Sequence, residues 1–571
     1  MTDDTLRPAT GAGSPQPDTS GDTGQFTHRQ IMTIISGLML GMFLAALDQT
    51  IVSTSIRTIA DDLQGFSVQA WVTTAYLITA TISTPLYGKL SDIYGRKQFF
   101  LTAITIFVIG SALCGFATSM YQLAAFRAFQ GLGAGGLFTL ALTIVGDIVP
   151  PRERAKYQGY FLAVFGTSSV LGPVIGGVLS GQSEILNITG WRWVFFVNVP
   201  IGIVALFVVA KVLNLPRRHG SAVVDWGGAA ALAVGLVPLL IIAEQGRTWG
   251  WGSGRAMICY AIGVLGIAAF IAIEIRMKTN ALIPMRFFRN STFSVGLVLS
   301  VITGAAMFGG ITLLPQYLQV VKGSSPTLAG FQMLPLVLGI MVASIFSGQM
   351  ISRTGHYRPY PIIGTTLMTV CMFAFSFIEY DTPLWMIMIA MFGFGFGLGN
   401  LMQPLTLAIQ NALPPQDMGV STSSATFFRQ IGGTIGVAVF LSLLFSRVTD
   451  AIASALRSAA ETPEFREAVG QAASSTDPAV SGLAQGLVQG NGSAAGGILD
   501  DTSFIQKLPD AVAAPFQIGF SDAMDSVFVV AGFVLALAFV INLFYKEVPL
   551  RTQGGLAAQA SERTAGKDTA E

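Results

Sequence analysis

The feature that most constrains this chain is a recurring apolar run of membrane-crossing length. A span needs about 20 predominantly apolar residues. Such runs fall near 31–56, 69–88, 98–118, 122–148, 156–181, 193–214, 226–243, 257–275, 291–318, 326–350, 359–379, 383–411, 419–446 and 523–545, fourteen in all. Charged residues make up only 11% of the 571, against about 25% in a soluble domain. Too few acids and bases are present to coat several soluble domains. This excludes an ordinary cytosolic enzyme and a disordered or fibrous protein. A net charge of +1 supplies no basic field for nucleic acid. The 64 glycines suit helices packed closely in lipid, where small residues let backbones approach. Cys114, Cys259 and Cys371 stand far apart in apolar stretches, and the three histidines have no ligand spacing. No metal site, disulfide framework or cofactor is expected.

Loop charge gives the topology. With the N-terminus cytoplasmic, the inner short loops hold fifteen Lys and Arg and the outer ones five, a positive-inside bias. An odd number of spans would break this alternation. The expected division is a disordered cytoplasmic tail at 1–28, a six-helix bundle at 29–215, two linker helices at 216–280, and a second six-helix bundle at 281–550. The second bundle carries an extracytoplasmic loop at 447–522, and a disordered cytoplasmic tail follows at 551–571. Within the loop, Ala451–Ala460 and Pro463–Ala473 read as short amphipathic helices and Gln489–Gly497 as a linker. The first tail lacks the form of a signal peptide.

Charges inside the spans are few, and each is a functional candidate. Asp48 in the first span and Arg127 in the fourth fall at similar depth in the outer half, from a rise of about 1.5 Å per residue. They can pair if their helices face each other. Gaining or losing a cationic partner changes how tightly a carboxylate holds a proton, as a coupling group requires; the plainer reading is a static structural pair. Arg429 in the thirteenth span has no obvious acidic partner, and either binds an anionic group or holds a helix contact. Asp147 lies twenty residues after Arg127, about 30 Å along the helix, level with Asp92 and Arg96. These charges form a candidate inner latch, or a plain interfacial salt bridge. Glu244 and Glu274 sit at span ends and read as interfacial.

Gly166-Thr167-Ser168-Ser169-Val170-Leu171-Gly172-Pro173-Val174-Ile175-Gly176-Gly177 makes the fifth span small-faced and bendable. Gly88–Arg96 and Gly348–His356 share their glycine spacing at an offset of 260 residues. That is a weak internal repeat of the kind found in secondary transporters. No GxxxxGK[ST], GxSxG or HExxH pattern is present, so direct ATP use and the commoner hydrolase chemistries lack their residues.

Together these residues resemble the major facilitator superfamily. Gly88–Lys97 (GKLSDIYGRK) looks like its loop 2–3 signature, including Gly88, Asp92, Gly95 and Arg96. Arg127–Gly133 (RAFQGLG) looks like its fourth-span signature. Gly166, Gly172, Pro173, Gly176 and Gly177 match its antiporter signature. Leu47–Val52 (LDQTIV) and Trp191–Pro200 (WRWVFFVNVP) look like motifs of its fourteen-span drug:proton antiporter subfamily. The resemblance covers about residues 30–450 and 520–550.

It implies an all-α integral membrane protein with two six-helix bundles and two inserted linker helices. It implies a monomer in the cell membrane, without cofactor, that exchanges protons for a hydrophobic or amphipathic small molecule exported by alternating access among membrane lipid. Proton coupling would fall on Asp48 with Arg127, and the conformational latch on Asp92, Arg96 and Asp147. In the second-half repeat Ser352 replaces the aspartate and His356 the arginine, so the two gates are expected to differ. Scarcity of acids inside the spans points to lipophilic or neutral substrates. The alternatives are a dedicated exporter of one endogenous lipid, siderophore or self-made antibiotic, and a non-transporting membrane sensor.

Overall fold

The computed structural model of the chain describes residues 26–64, 68–215, 224–475, 478–488, 505, 508–551 and 553–558. All fourteen expected spans coincide with helices. They are α1 (His28–Asp62), α2 (Ala70–Tyr94), α3 (Arg96–Gly115), α4 (Met120–Ile148), α5 (Pro151–Ser180), α6 (Asn198–Val212), α7 (Trp226–Trp249), α8 (Gly254–Met277), α9 (Ser291–Val320), α10 (Leu334–Thr354), α11 (Pro359–Phe375), α12 (Leu384–Ala412), α13 (Met418–Ala460) and α14 (Asp510–Leu543). Among the described residues, eleven helices are long and apolar enough to cross a membrane. Of the other three, α2 is diluted by Thr73, Thr74, Thr79, Thr81, Ser83 and Thr84, α5 contributes the shorter apolar stretch Gly166–Ser180, and α11 has only 17 residues.

Local chemistry sets the boundaries. Thr27 and Gln30 form a reciprocal capping box at the start of α1, satisfying orphan backbone donors. Ser119, Asp225, Ser253 and Asn290 cap α4, α7, α8 and α9. Gly95, at φ 105°, takes a backbone conformation closed to bulkier residues and separates α2 from α3. Two expected spans are broken: Trp193–Phe196 precedes α6, and Pro326–Gln332 precedes α10.

The packing is a repeat. α1 packs on α5 and α6, α2 on α4, and α3 on α4 and α6. Shifting each partner by eight helices gives the second bundle: α9 on α13 and α14, α10 on α12, and α11 on α12 and α14. The bundles meet along two seams, α2–α13 and α5–α10, which exchange under the same shift. The α7–α8 hairpin lies on the first seam. Leu232, Leu236 and Leu240 of α7 join Ile78 and Ile82 of α2 and Phe427 of α13 in one apolar cluster.

Three expectations are corrected. Residues 447–460 continue α13, and 510–522 belong to α14, so the 447–522 loop is shorter than its polarity suggested. Helix Ala451–Ala460 is the last part of α13, whereas Pro463–Ala473 is a separate helix. That helix and Pro478–Val488 place Phe465, Val469, Val480 and Ala484 in the same core as Val512 and Phe516 of α14, making a cap on the second bundle. The expected linker at Gln489–Gly497 lies outside the described residues. Second, the chain after α14 is held by contacts through Ala558, described below, where a disordered tail from 551 was expected. Third, Glu274 is not interfacial: it is fully buried and accepts the backbone N–H groups of Leu282 (3.1 Å) and Ile283 (2.9 Å).

Candidate functional site

Asp48 lies mid-helix on α1, where the packing of α4 and α6 removes it wholly from solvent. Its Oδ2 is 2.6 Å from Arg127 Nη1. Its Oδ1 accepts from Gln130 Nε2 at 2.9 Å and from Asn198 Nδ2 at 2.8 Å. Gln130 Oε1 accepts from Arg127 Nη1 at 2.8 Å. Asn198 also donates to Ser111 Oγ (3.1 Å), whose hydroxyl donates to the Phe195 carbonyl (2.9 Å). The Arg127 guanidinium lies 4.0 Å above the Tyr76 ring. The pair is thus sealed in a polar nest inside one bundle. A buried ion pair offsets its desolvation only when further hydrogen bonds satisfy its remaining atoms, and Gln130 and Asn198 do this for the carboxylate.

Sequence reasoning missed Gln130 and Asn198 as site residues. Each had a signal, being an uncharged polar side chain isolated in an apolar run. Asn198 reaches Asp48 from the point where the span breaks after Phe196.

A second constellation lies at the end of the bundles that carries the α2–α3 turn, here called the basic face. Arg96 is pinned by Asp92 (2.5 Å), Asp147 (2.7 Å) and Ser91 Oγ (2.6 Å). Asp92 also crosses the seam, accepting from the backbone N–H groups of Gly419 (3.2 Å) and Val420 (3.1 Å). Those groups open α13, so a carboxylate of one bundle caps a helix of the other. Gly88 allows this approach: a Cβ there would meet the Ser423 side chain and lie 2.7 Å from the Gly419 carbonyl oxygen. On the other seam, buried Arg154 donates to Gln410 Oε1 of α12 (2.8 Å) and to the carbonyls of Gly146 (2.6 Å) and Val149 (2.9 Å).

The chain after α14 crosses this face. Glu547 accepts from Tyr357 N (2.6 Å) and lies 3.2 Å from His356 Nδ1. Asn411 donates to the Pro549 carbonyl (3.0 Å), and Arg551 to the Leu413 carbonyl (2.6 Å). Gly554 and Gly555 then lie against Asp147 and Ile148 of α4, and Leu556 packs on the core of the first bundle. One strap therefore touches both bundles.

The remaining candidates are dispersed. Gly172 and Gly176 of α5 face Thr50, Ile51 and Ser55 of α1, whereas Gly166 faces Val337 of α10 across the seam. A Cβ at Gly177 would meet nothing within 4 Å. Pro173 stands inside α5. Arg429 lies on α13 and joins neither constellation. Trp191 and Arg192 tie the face opposite: Trp191 Nε1 donates to Asp62 (2.8 Å), and Arg192 donates to the carbonyls of Gly115 and Ala117 (both 2.8 Å).

Two six-helix bundles repeated by an eight-helix shift, meeting along two exchangeable seams, define a polytopic membrane protein of the two-bundle transporter class. The sequence model of the Major Facilitator Superfamily matches residues 38–437, and the chain belongs to that superfamily. It is 32% identical to the multidrug transporter protein MdtP of Bacillus subtilis, over 93% of this chain and 96% of that one. It is 33% identical to multidrug resistance protein 3 of the same organism, over 94% and 99%. Its fold is similar to that of the proton:xylose symporter XylE, with a TM-score of 0.57 at 14% identity, over 94% of this chain and 100% of that one.

Proposed function

We propose that this protein is a proton-coupled antiporter that exports hydrophobic or amphipathic compounds across the cytoplasmic membrane by alternating access. Both termini and the basic face lie in the cytoplasm, a placement supported by the loop-charge bias. The naming of two relatives that match nearly the whole chain as multidrug proteins supports the substrate class.

The observation that carries the reading is the sealed nest around Asp48. Three donors meet the carboxylate, and the side chain has no exposed surface. A proton can arrive only when α1 shifts and breaks at least one of these bonds, so protonation and conformation are tied together. At the basic face, the Asp92–α13 and Arg154–Gln410 contacts close the cytoplasmic path. Opening it requires α13 and α12 to leave their partners on the first bundle. A proton crossing 100 mV supplies about 2.3 kcal/mol, enough to hold roughly a fiftyfold gradient of a neutral solute.

The test uses proteoliposomes with an imposed proton gradient, an internal pH dye and a panel of lipophilic compounds. Compound-triggered proton flux in the wild type, absent in Asp48→Asn, is the expected result. Undiminished coupled flux in that variant removes Asp48 from coupling.

A further inference from the structure

The charges inside the helices differ in what answers them. Asp48 is answered by Arg127, and Glu274 by two backbone N–H groups. Arg429 on α13 is different. Among the described residues no hydrogen bond, ion pair or aromatic face meets its guanidinium, and the side chain is neither sealed nor fully exposed.

Its position is informative. Gly419, where Asp92 docks, lies ten residues earlier on α13, so Arg429 stands about 15 Å deeper. That is half of the roughly 30 Å separating Asp147 from Arg127 along α4. Arg429 also sits beside the seam. The adjacent Gln430 accepts from Thr84 Oγ1 of α2 at 3.3 Å, and Phe427 belongs to the apolar cluster shared by α2, α7 and α13. The residue is therefore at mid-depth, next to contacts that part when the bundles rock.

A guanidinium cannot escape this position by losing its proton. An intramembrane charge without a partner is costly and marks a ligand or ion path. Asp48 and Arg127 answer each other, so the charge of Arg429 is left without a counter-charge. We infer that Arg429 binds the anionic group, a carboxylate or a phosphate, of an amphipathic molecule whose apolar body lies between the bundles. Guanidinium presents a planar fork that matches both groups. This rests on the exporter reading and narrows its substrates to amphiphilic anions, against a preference for cations or neutral compounds.

The test measures binding of dansyl-undecanoic acid and of its methyl ester to the full chain in phosphatidylcholine nanodiscs. The wild type should bind the acid at least tenfold more tightly than the ester. Arg429→Gln should abolish that preference while leaving ester affinity within about twofold, which also shows that the variant is folded. Arg429→Lys should retain part of it. Adding phosphatidylglycerol separates two sources of the anion. A loss of apparent acid affinity in the wild type but not in Arg429→Gln identifies a lipid headgroup as competing occupant of the same site. Equal weakening of acid and ester in Arg429→Gln, or no change in either, overturns the inference and leaves Arg429 a helix-packing residue. The exporter reading fails separately, if no compound drives coupled flux in proteoliposomes while the preference for the acid persists.

Discussion

Asp48 and Arg127 lie 2.6 Å apart on different helices, one with no exposed surface and the other with 1%. Neither can exchange a proton or a partner while the nest is intact. Their separation is thus a property of a conformational state.

Replacing Asp48 by Asn keeps the shape but leaves Arg127 without a counter-charge. Removing one member of a buried pair costs about 3–5 kcal/mol, less where an amide still accepts a hydrogen bond. We expect Asp48→Asn to bind compound within about threefold of wild type while losing proton-driven export. Equilibrium binding and pH-dye flux on the same preparation check this, and export that remains proton-driven refutes it.

Asn198 provides a test of the nest that removes no charge. Asn198→Ala deletes one of the two donors to Asp48 Oδ1 and leaves Ser111 Oγ without that partner. A lost hydrogen bond to a charged group costs about 1.5–3 kcal/mol. With one donor fewer, less has to break before Asp48 and Arg127 can part. Coupled flux should change several-fold in Asn198→Ala and should stay at the wild-type rate in Asn214→Ala, an exposed amide outside the nest. Equal flux in the two variants would show that Asn198 has no part in coupling.

The latch makes a prediction about populations. An N-cap replaced by Ala costs about 0.5–2 kcal/mol, and Asp92 caps α13 only while the basic face is closed. Asp92→Ala should therefore reduce the closed state by between twofold and thirtyfold. A cysteine introduced at Ser423, which is buried against Gly88, should react several-fold faster with an impermeant maleimide applied from that side. Gly88→Val should act in the same direction by forcing the helices apart. Unchanged labelling in both variants would place the opening elsewhere.

Several of these features differ in how far the sequence exposed them. The spans were legible because apolarity over about 20 residues is a compositional signal, and α1 to α14 coincide with it. Where helix and apolarity part company, the boundary was missed: Ala451–Ala460 reads as a short helix of its own, and its polarity hides that it continues α13. The similar depth of Asp48 and Arg127 followed from helix rise alone. The partner of Asp92 across the seam could not be read, because it is the backbone of Gly419 and Val420, and a backbone N–H leaves no mark in residue identity. Glu274 looked like a span-end charge for the same reason, since its partners are amides in the following turn.

The strap after α14 was hidden likewise, its polar sequence resembling a tail while main-chain groups hold it. It bridges both bundles across the basic face, so in the proposed cycle it should slow the opening of that face. Ending the chain after Tyr545 removes the Glu547, Pro549 and Arg551 contacts and the packing of Leu556 on the first bundle. It leaves Asp92, Arg154 and the Asp48 nest in place. Substrate affinity should stay within about twofold, and labelling of the Ser423→Cys reporter should rise in the truncated chain. Combining truncation with Asp92→Ala should raise it further than either change alone, because the two act on the same opening through separate contacts. A truncated chain that labels at the full-length rate would make the strap a passive covering, and the Asp92–Gly419 and Arg154–Gln410 contacts would then carry the closure alone.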